Sequence, residues 1–181
     1  MRIFIDPGHG GKDPGAVAGG VFEKDVVLGT ALELAQVLEW HEWDVCLSRR
    51  TDIFVPLERR AETATDARPG LFLSLHTNAA GSQAVGPEAW VRAGDDAAGR
   101  AAAFLRPWAE RAVNDPWRGT KVGTFYVLRN VRVCPAVLLE IEFLTGPGEA
   151  ETLVQRLYQE RVAHYLAYGL LAWAAANGNG R

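Results

Sequence analysis

Apolar residues along the chain follow two patterns, and each pattern predicts a different kind of element. Residues 3–5, 71–75 and 137–141 form short, nearly uninterrupted apolar runs that are bounded by turn residues. Such runs are typical of strands that are covered on both faces. Between residues 24 and 40, apolar side chains instead recur every three or four positions, which predicts an amphipathic helix.

Predicted strands and helices alternate over most of the chain. The remaining predicted strands cover residues 44–47, 88–91 and 124–128, and the remaining predicted helices cover residues 57–67, 95–113 and 149–176. Pro107 is expected to kink or split the helix in which it lies. The alternation predicts a single α/β domain with a mainly parallel sheet. We expect this domain to span residues 1–176, followed by a flexible tail at 177–181.

Three of the predicted strands end beside a side chain suited to metal binding or acid–base chemistry. His9 follows the first strand, His76 follows the run at 71–75, and Glu140 lies at the end of the last strand. Ligands of open α/β sheets bind at the carboxyl ends of the strands, so we expect these residues to share one site. For either histidine alone, a structural role in a loop remains the commoner alternative.

Glu23, at the predicted start of the first helix, is a further candidate. An acidic residue at this position is commonly explained by the helix dipole alone. The same position, however, lies at the carboxyl edge of the predicted sheet, beside His9. Two histidines and one glutamate with an open fourth position are typical of catalytic zinc. His9, Glu23 and His76 are therefore predicted to bind a metal ion.

Glu140 ends an apolar strand, and this makes it a candidate for chemistry. A carboxylate that enters a core costs several kcal/mol of desolvation unless it is paired. Beside a metal site it is expected to act as a general base and then as an acid. Glu142 is expected to lie on the same side of the strand and competes for this role, although its position favours Glu140. His41 and His164 are interpreted as structural.

Composition and charge narrow the possible partners. The chain has 181 residues, of which 48% are hydrophobic and 23% are charged, with a formal net charge of −3. Nothing in this balance indicates binding to nucleic acid. Cys46 and Cys134 lie in separate apolar runs without a CxxC pattern, so they are interpreted as buried thiols.

The chain resembles the zinc-dependent N-acetylmuramoyl-L-alanine amidases of the type-3 amidase class. The blocks that carry the resemblance follow the family's order over nearly the whole chain. They are Ile3-Phe4-Ile5-Asp6-Pro7-Gly8-His9-Gly10-Gly11, Lys12-Asp13-Pro14-Gly15-Ala16, Glu23-Lys24-Asp25, Ser48-Arg49-Arg50-Thr51-Asp52, Pro56-Leu57-Glu58-Arg59-Arg60, Ser74-Leu75-His76-Thr77-Asn78-Ala79, Phe125-Tyr126-Val127-Leu128-Arg129 and Pro135-Ala136-Val137-Leu138-Leu139-Glu140.

The resemblance implies a fold, a cofactor and a reaction. It implies a mixed sheet of about six strands with helices on both faces. It implies one zinc ion per chain, bound by His9, Glu23 and His76, with Glu140 as the catalytic glutamate. The implied reaction is cleavage of the amide between the lactyl group of N-acetylmuramic acid and L-alanine in peptidoglycan, by water that zinc activates.

Glu142 departs from the family's pattern, because it replaces a glycine. We expect it to contact polar groups of the substrate or to raise the pKa of Glu140 by repulsion. Asn78, Arg49 and Arg50 are further expected substrate contacts. Some family members carry a regulatory helix that blocks the zinc. The short segment between Trp90 and Phe125 leaves no room for one, which predicts an open site.

Two other functions compete with the amidase interpretation. A carboxypeptidase that acts on the stem peptide would use the same ligands and base, and a non-catalytic wall-binding module would keep only the fold.

Localisation is predicted from the ends and the hydropathy of the chain. Met1 is followed at once by a predicted strand, and no apolar run approaches the ~20 residues that span a bilayer. We therefore expect a soluble chain without a signal peptide. We further expect a monomer. It is expected to reach the cell wall by phage-lysin-type release or as a chain that lacks its leader.

Overall fold

A six-stranded sheet organises the protein, whose computed structural model describes residues 1–81 and 84–178. The strands are β1 (Arg2–Pro7), β2 (Val17–Ala18), β3 (Val21–Phe22), β4 (Asp44–Leu47), β5 (Leu71–Asn78), β6 (Glu88–Val91), β7 (Thr120–Val122) and β8 (Ala136–Phe143). The helices are α1 (Glu23–Trp40), α2 (Leu57–Ala67), α3 (Asp96–Val113), α4 (Tyr126–Asn130), α5 (Glu149–Leu153) and α6 (Arg156–Ala176).

The sheet is mixed and mostly parallel, with the strand order β4-β1-β5-β8-β6-β7. Strands β4, β1, β5 and β8 run parallel to one another, whereas β6 pairs antiparallel with β8 and parallel with β7. The short strands β2 and β3 form a separate hairpin. This topology confirms the predicted α/β fold.

Alternate residues of the central strands feed two apolar cores, one on each face of the sheet. Ile3 and Ile5 of β1 belong to the larger core, which also takes side chains from α1, α3 and α6. Phe4 points the other way and stacks on Phe72 with ring centroids 5.8 Å apart. Both phenylalanines belong to the smaller core, which α2 and α4 cover. Helices therefore flank both faces of the sheet.

The prediction of a strand at residues 124–128 is wrong. The chain forms β7 earlier and then turns into α4 instead. Val127 and Leu128 are buried in the smaller core, whereas Phe125 is 40% exposed. Short apolar runs do not distinguish a strand from one turn of a buried helix, which explains the error.

One long helix is divided where the prediction had it continuous, and another is continuous through its proline. The helix that contains Pro107 is not split, because α3 runs continuously from Asp96 to Val113. The helix predicted at 149–176 is instead divided into α5 and α6, with Gln155 in an extended conformation between them. The Gln159 side chain donates to the carbonyl of Leu153 at 3.0 Å and so supports the break.

Two predictions concern the end of the chain and a possible membrane span. Helix α6 ends at Ala176, and the predicted tail at 177–181 lies outside the described residues from 179 onward. Within the described ranges, none of the helices combines the length and the apolar character that crossing a bilayer requires.

Candidate active site

Three separate elements bring His9, Glu23 and His76 together. His9 follows β1, Glu23 is the first residue of α1, and His76 lies near the end of β5. The Nε2 atom of His9 lies 3.2 Å from Glu23 Oε2, and the Nδ1 atom of His76 lies 2.9 Å from Glu23 Oε1. Potential ligand atoms of all three residues lie within 4.8 Å of one another.

The backbone around His9 adopts an unusual conformation to reach this position. His9 has φ of 57°, a left-handed value that is costly for a residue with a side chain. Gly8 before it passes so close to the His76 ring that a Cβ atom at this position would overlap the imidazole. The glycine is therefore needed for the two histidines to approach each other.

Two buried arginines hold this loop in place. Arg60 of α2 donates to Asp6 Oδ1 at 2.6 Å and to the carbonyl of Pro7 at 2.7 Å, and it also bonds the His9 carbonyl. Arg49 donates to the carbonyl of Gly8 at 2.7 Å and to that of Lys24 at 2.9 Å. Arg49 thus ties the loop after β1 to the start of α1.

Glu23 is held in its ionised form by the groups around it. Burial favours the neutral carboxyl, but hydrogen bonds with His76 and His9 outweigh burial and bring the pKa of Glu23 far below its usual range. The backbone N–H groups of Ala16 and Thr77 also donate to it, at 2.8 and 3.0 Å. Each of its oxygens faces one imidazole, so the carboxylate lies between the two rings.

Asp13 orients the His9 ring from the opposite side. Its Oδ2 atom lies 2.9 Å from His9 Nδ1, which leaves Nε2 directed at Glu23. Burial lowers the pKa of His9, but the hydrogen bonds with Glu23 and Asp13 give a net increase. A carboxylate that holds the second nitrogen of a ligand histidine is typical of metal sites. Sequence reasoning did not identify Asp13 as a partner of His9. Its spacing of four residues from His9 was the available signal.

Glu140 lies beside the cluster in the neighbouring strand. It is the register partner of His76 in the parallel pair of β5 and β8, and it is 8% exposed. Burial raises the pKa of Glu140 to about 7; His76 lowers it, whereas Glu23 and Glu88 raise it. Its Oε2 atom makes no hydrogen bond to the described residues. A carboxyl group with these properties suits proton transfer near neutral pH.

A cleft of about 380 Å³ opens over these residues. His9, His76 and Glu140 line its floor, together with Arg60 and Asp13. Its walls are largely apolar and are formed by Phe54, Val55, Leu57, Phe125, Tyr126 and Val127. The cleft therefore gives a substrate access to the histidines and to Glu140 at the same time.

Arg49, Arg50 and Asn78, the expected substrate contacts, each bind other groups of the protein. Arg49 is 2% exposed and is engaged with backbone carbonyls, so its geometry does not support the expected contact. Arg50 pairs with Glu39 of α1 at 3.2 Å. Asn78 donates to Glu88 Oε1 at 3.0 Å, one strand beyond Glu140.

Glu142 does not share a face with Glu140, contrary to expectation. The pairing of β5 and β8 shifts between His76 and Asn78, and this irregularity breaks the alternation of sides. Glu142 is fully buried, and its Oε1 accepts from the backbone N–H groups of Gly86 and Phe143. The charges that act most on Glu140 belong to other residues, so the expected repulsion is not supported.

Comparisons with known proteins agree with this arrangement. The family model described as N-acetylmuramoyl-L-alanine amidase matches residues 3–172. The amidase LytC of Bacillus subtilis is 34% identical over 174 residues, which cover 94% of this chain and 35% of LytC. The endolysin of Bacillus phage SPP1 is 33% identical over 174 residues, covering 93% of this chain and 64% of the endolysin.

Solved structures show the same fold. The catalytic domain of CwlV, an N-acetylmuramoyl-L-alanine amidase from Paenibacillus polymyxa, superposes with a TM-score of 0.90 at 32% identity. The match covers 96% of this chain and 98% of that domain. The chain therefore belongs to the N-acetylmuramoyl-L-alanine amidase family, whose named members are peptidoglycan hydrolases. It spans about a third of the length of LytC and about two thirds of the length of the endolysin.

Proposed function

We propose that the chain hydrolyses the amide between the lactyl group of N-acetylmuramic acid and L-alanine of the stem peptide. The observation that carries this proposal is the convergence of His9, Glu23 and His76 beside Glu140, on the floor of an open cleft. The family and the names of the relatives support the same reaction and do not favour a carboxypeptidase.

The residues at the site fit a zinc ion. Two imidazoles and a carboxylate are ligands that zinc prefers, and their potential ligand atoms lie within 4.8 Å of one another. We propose that His9, Glu23 and His76 bind one zinc ion per chain, with Asp13 holding the His9 ring. When bound, zinc supplies Lewis-acid chemistry, which polarises a carbonyl and makes water more acidic.

Glu140 supplies the proton transfers in this proposal. Its ionised carboxylate accepts a proton from the attacking water, and its protonated form then gives that proton to the amine of L-alanine as the bond to the lactyl carbonyl breaks. A pKa of about 7 suits both steps, because neither form is strongly favoured near neutral pH.

Digestion of purified peptidoglycan tests the reaction. We expect mass spectrometry to show released stem peptides with a free amine on L-alanine, lost on chelation and restored by zinc. A carboxypeptidase would instead release single amino acids and leave the lactyl amide intact. Glycan chains that remain fully substituted would overturn the proposal.

The substitution Glu140→Gln tests the role of the base. It removes the titrating oxygen but preserves shape, so turnover is expected to fall by at least roughly 10²-fold while zinc still binds. Glu142→Gln is the matched control, because it changes a buried carboxylate of the same strand away from the cleft. Normal turnover in Glu140→Gln would exclude this role for Glu140.

The place of action follows from the substrate. We propose that the chain acts at the cell wall, as its endolysin relative and its substrate suggest. We also propose that it is a monomer. Light scattering during size-exclusion chromatography would test the oligomeric state directly.

A further inference from the structure

A buried carboxylate, Glu88, lies on the side of Glu140 opposite the predicted metal ligands. Glu88 and Glu140 are register partners in the antiparallel pair of β6 and β8, and His76 partners Glu140 from β5. Partners in adjacent strands carry their side chains on the same face. His76, Glu140 and Glu88 therefore form one row across three strands, on the face that the cleft occupies.

Glu88 pairs with two cationic side chains, Lys121 and Arg118, next to Glu140. Its Oε2 atom accepts from Lys121 Nζ at 2.6 Å and from Arg118 Nε at 3.3 Å. Its Oε1 atom accepts from Asn78 and Trp90 at 3.0 and 3.1 Å. One carboxylate is therefore surrounded by two positive groups, and the cluster keeps a net charge of one positive unit.

Both cations remain accessible although Glu88 is buried. The Glu88 side chain is 2% exposed, whereas those of Arg118 and Lys121 are 40% and 38% exposed. Arg118 uses Nε toward Glu88 and Nη1 toward the carbonyl of Val85, and its guanidinium lies over the Phe143 ring. The positive groups are thus held in position with part of their surface open to a ligand.

Two aromatic side chains, Trp90 and Phe125, lie between this cluster and the cleft. Lys121 Nζ lies 5.1 Å from the centroid of the Trp90 ring, and Trp90 packs edge-on against Phe125 with centroids 5.4 Å apart. Phe125 lines the cleft above Glu140. A substrate arm that leaves Glu140 toward β6 and β7 therefore meets Lys121 and Arg118.

We propose that Lys121 and Arg118 form a subsite for a carboxylate of the stem peptide, an inference that rests on the proposed amidase function. The glycan arm of the substrate consists of uncharged sugars, since the lactyl carboxyl is used in the scissile amide, whereas the peptide arm carries carboxylates. Charge therefore assigns the peptide arm to the β6–β7 side and the glycan arm to the other side.

Spacing identifies which carboxylate the subsite takes. Strand β7 lies two strands from β8, about 10 Å away, and Lys121 reaches back toward Glu88 across half of that distance. One residue of peptide spans at most about 3.8 Å between Cα atoms, so the carboxylate of the second residue falls within this range of the scissile nitrogen. The subsite therefore takes the free carboxylate of the residue that follows L-alanine.

Two matched soluble muropeptides test the subsite. They share one glycan and one tetrapeptide stem, and differ only in whether the second residue carries a free carboxylate or a carboxamide. The measured quantity is the ratio of kcat/KM for the acid to kcat/KM for the amide. We expect a ratio of roughly three to ten for the unaltered protein, the size of a partly exposed charge-assisted contact.

Substitutions of the cluster are expected to move this ratio in opposite directions. Lys121→Met should bring it near one through KM, Lys121→Arg should preserve it, and Glu88→Gln should raise it because the cations lose their competing carboxylate. Arg132→Met is the control, since this exposed arginine precedes β8 and lies at the end of the strand opposite Glu140. It should leave the ratio unchanged.

The outcomes separate this inference from the proposed function. Cleavage of both muropeptides at the lactyl amide with a ratio near one would overturn the subsite and keep the amidase. An equal loss of kcat/KM for both compounds in Lys121→Met, with no change in their ratio, would show that Lys121 only supports the fold and would also overturn the subsite. Cleavage of neither muropeptide by the unaltered protein would overturn the proposed function and this inference with it.

Discussion

Asp13 contributes to the site through its contact with the His9 ring. Its carboxylate holds Nδ1 of His9 at 2.9 Å and is itself partly exposed. The substitution Asp13→Ala frees the ring to rotate, and we expect the affinity for zinc to fall by roughly tenfold with the fold intact. Competition with a chromophoric chelator measures this, and an unchanged Kd would show that the loop alone orients His9.

Glu142 makes stability depend on pH. Burial raises its pKa from the ordinary 4.5 to about 7, although two backbone N–H groups oppose the shift. The folded state therefore binds a proton more tightly than the unfolded chain. The resulting stabilisation is complete below about pH 4.5 and is lost as the pH rises through about 7.

The substitution Glu142→Gln should remove this dependence, because glutamine keeps an acceptor for both N–H groups and does not titrate. Urea denaturation at about pH 5 and about pH 8 measures the difference in unfolding free energy between the two proteins. That difference is expected to change by on the order of 2–3 kcal/mol in favour of the variant at the higher pH. Parallel curves would contradict a raised pKa for Glu142.

Side-chain type and the positions of strand ends were enough to predict which residues lie near one another at the site. His9, Glu23, His76 and Glu140 each stand at the carboxyl edge of the sheet, and the structure places them together there. The position of Glu142 was not predictable, because a shift in strand pairing is a property of two strands and leaves no mark in either sequence.

Helix α2 stabilises the loop that carries His9 through the side chain of Arg60. Arg60 connects it to the end of β1 through Asp6 and the loop carbonyls, in a fully buried contact. The neighbouring Arg59 on the same helix is 62% exposed and pairs with Glu62 at 3.4 Å. The two arginines therefore offer a matched comparison between a buried and an exposed ion pair.

The substitution Arg60→Met is expected to lower the free energy of unfolding by roughly 3–5 kcal/mol, since it leaves Asp6 charged and buried. Arg59→Met should change it by less than about 1 kcal/mol. Denaturant titration of both variants measures the effect. Similar losses of unfolding free energy in the two variants would mean that other donors stabilise the Asp6 carboxylate without Arg60. The hydroxyl groups of Ser48 and Ser74 are such donors.

Strands β4 and β6 have the predicted bounds, whereas the longest predicted helix is divided into α5 and α6. Helix α1 follows a clear period of three to four residues, and the apolar run of strand β5 is bounded by turn residues, so only the ends of these two elements differ from expectation. The segment around Phe125 carries too few residues for a period to appear, and tertiary burial of Val127 and Leu128 decided its structure.

For the molecule as a whole, zinc is expected to act as a crosslink between elements that are distant in the chain. A ligand that binds only the folded state at about 1,000 times its Kd adds about 4 kcal/mol of stability. For a domain of this size the melting temperature should rise by on the order of ten degrees. Differential scanning calorimetry with zinc, with magnesium and with a chelator measures this. An equal response to both metals would argue against a specific site.

The general architecture was predictable because alternation of strand and helix admits few packed solutions. The order of strands was less accessible. The reversal of β6 brings Glu88 beside Glu140, and this depends on the antiparallel pairing of two segments about 50 residues apart. Side-chain type alone gave no reason to place Glu88 in that row.

The two edge strands of the sheet, β4 and β7, affect how readily the protein aggregates at high concentration. Strand β4 has four residues and β7 has three, and each carries a charged side chain that is engaged in an ion pair, Asp44 with Arg2 and Lys121 with Glu88. Short edge strands with charges are poor templates for added strands from another molecule. The protein is therefore expected to resist intermolecular β-pairing and the amyloid-like aggregation that follows from it.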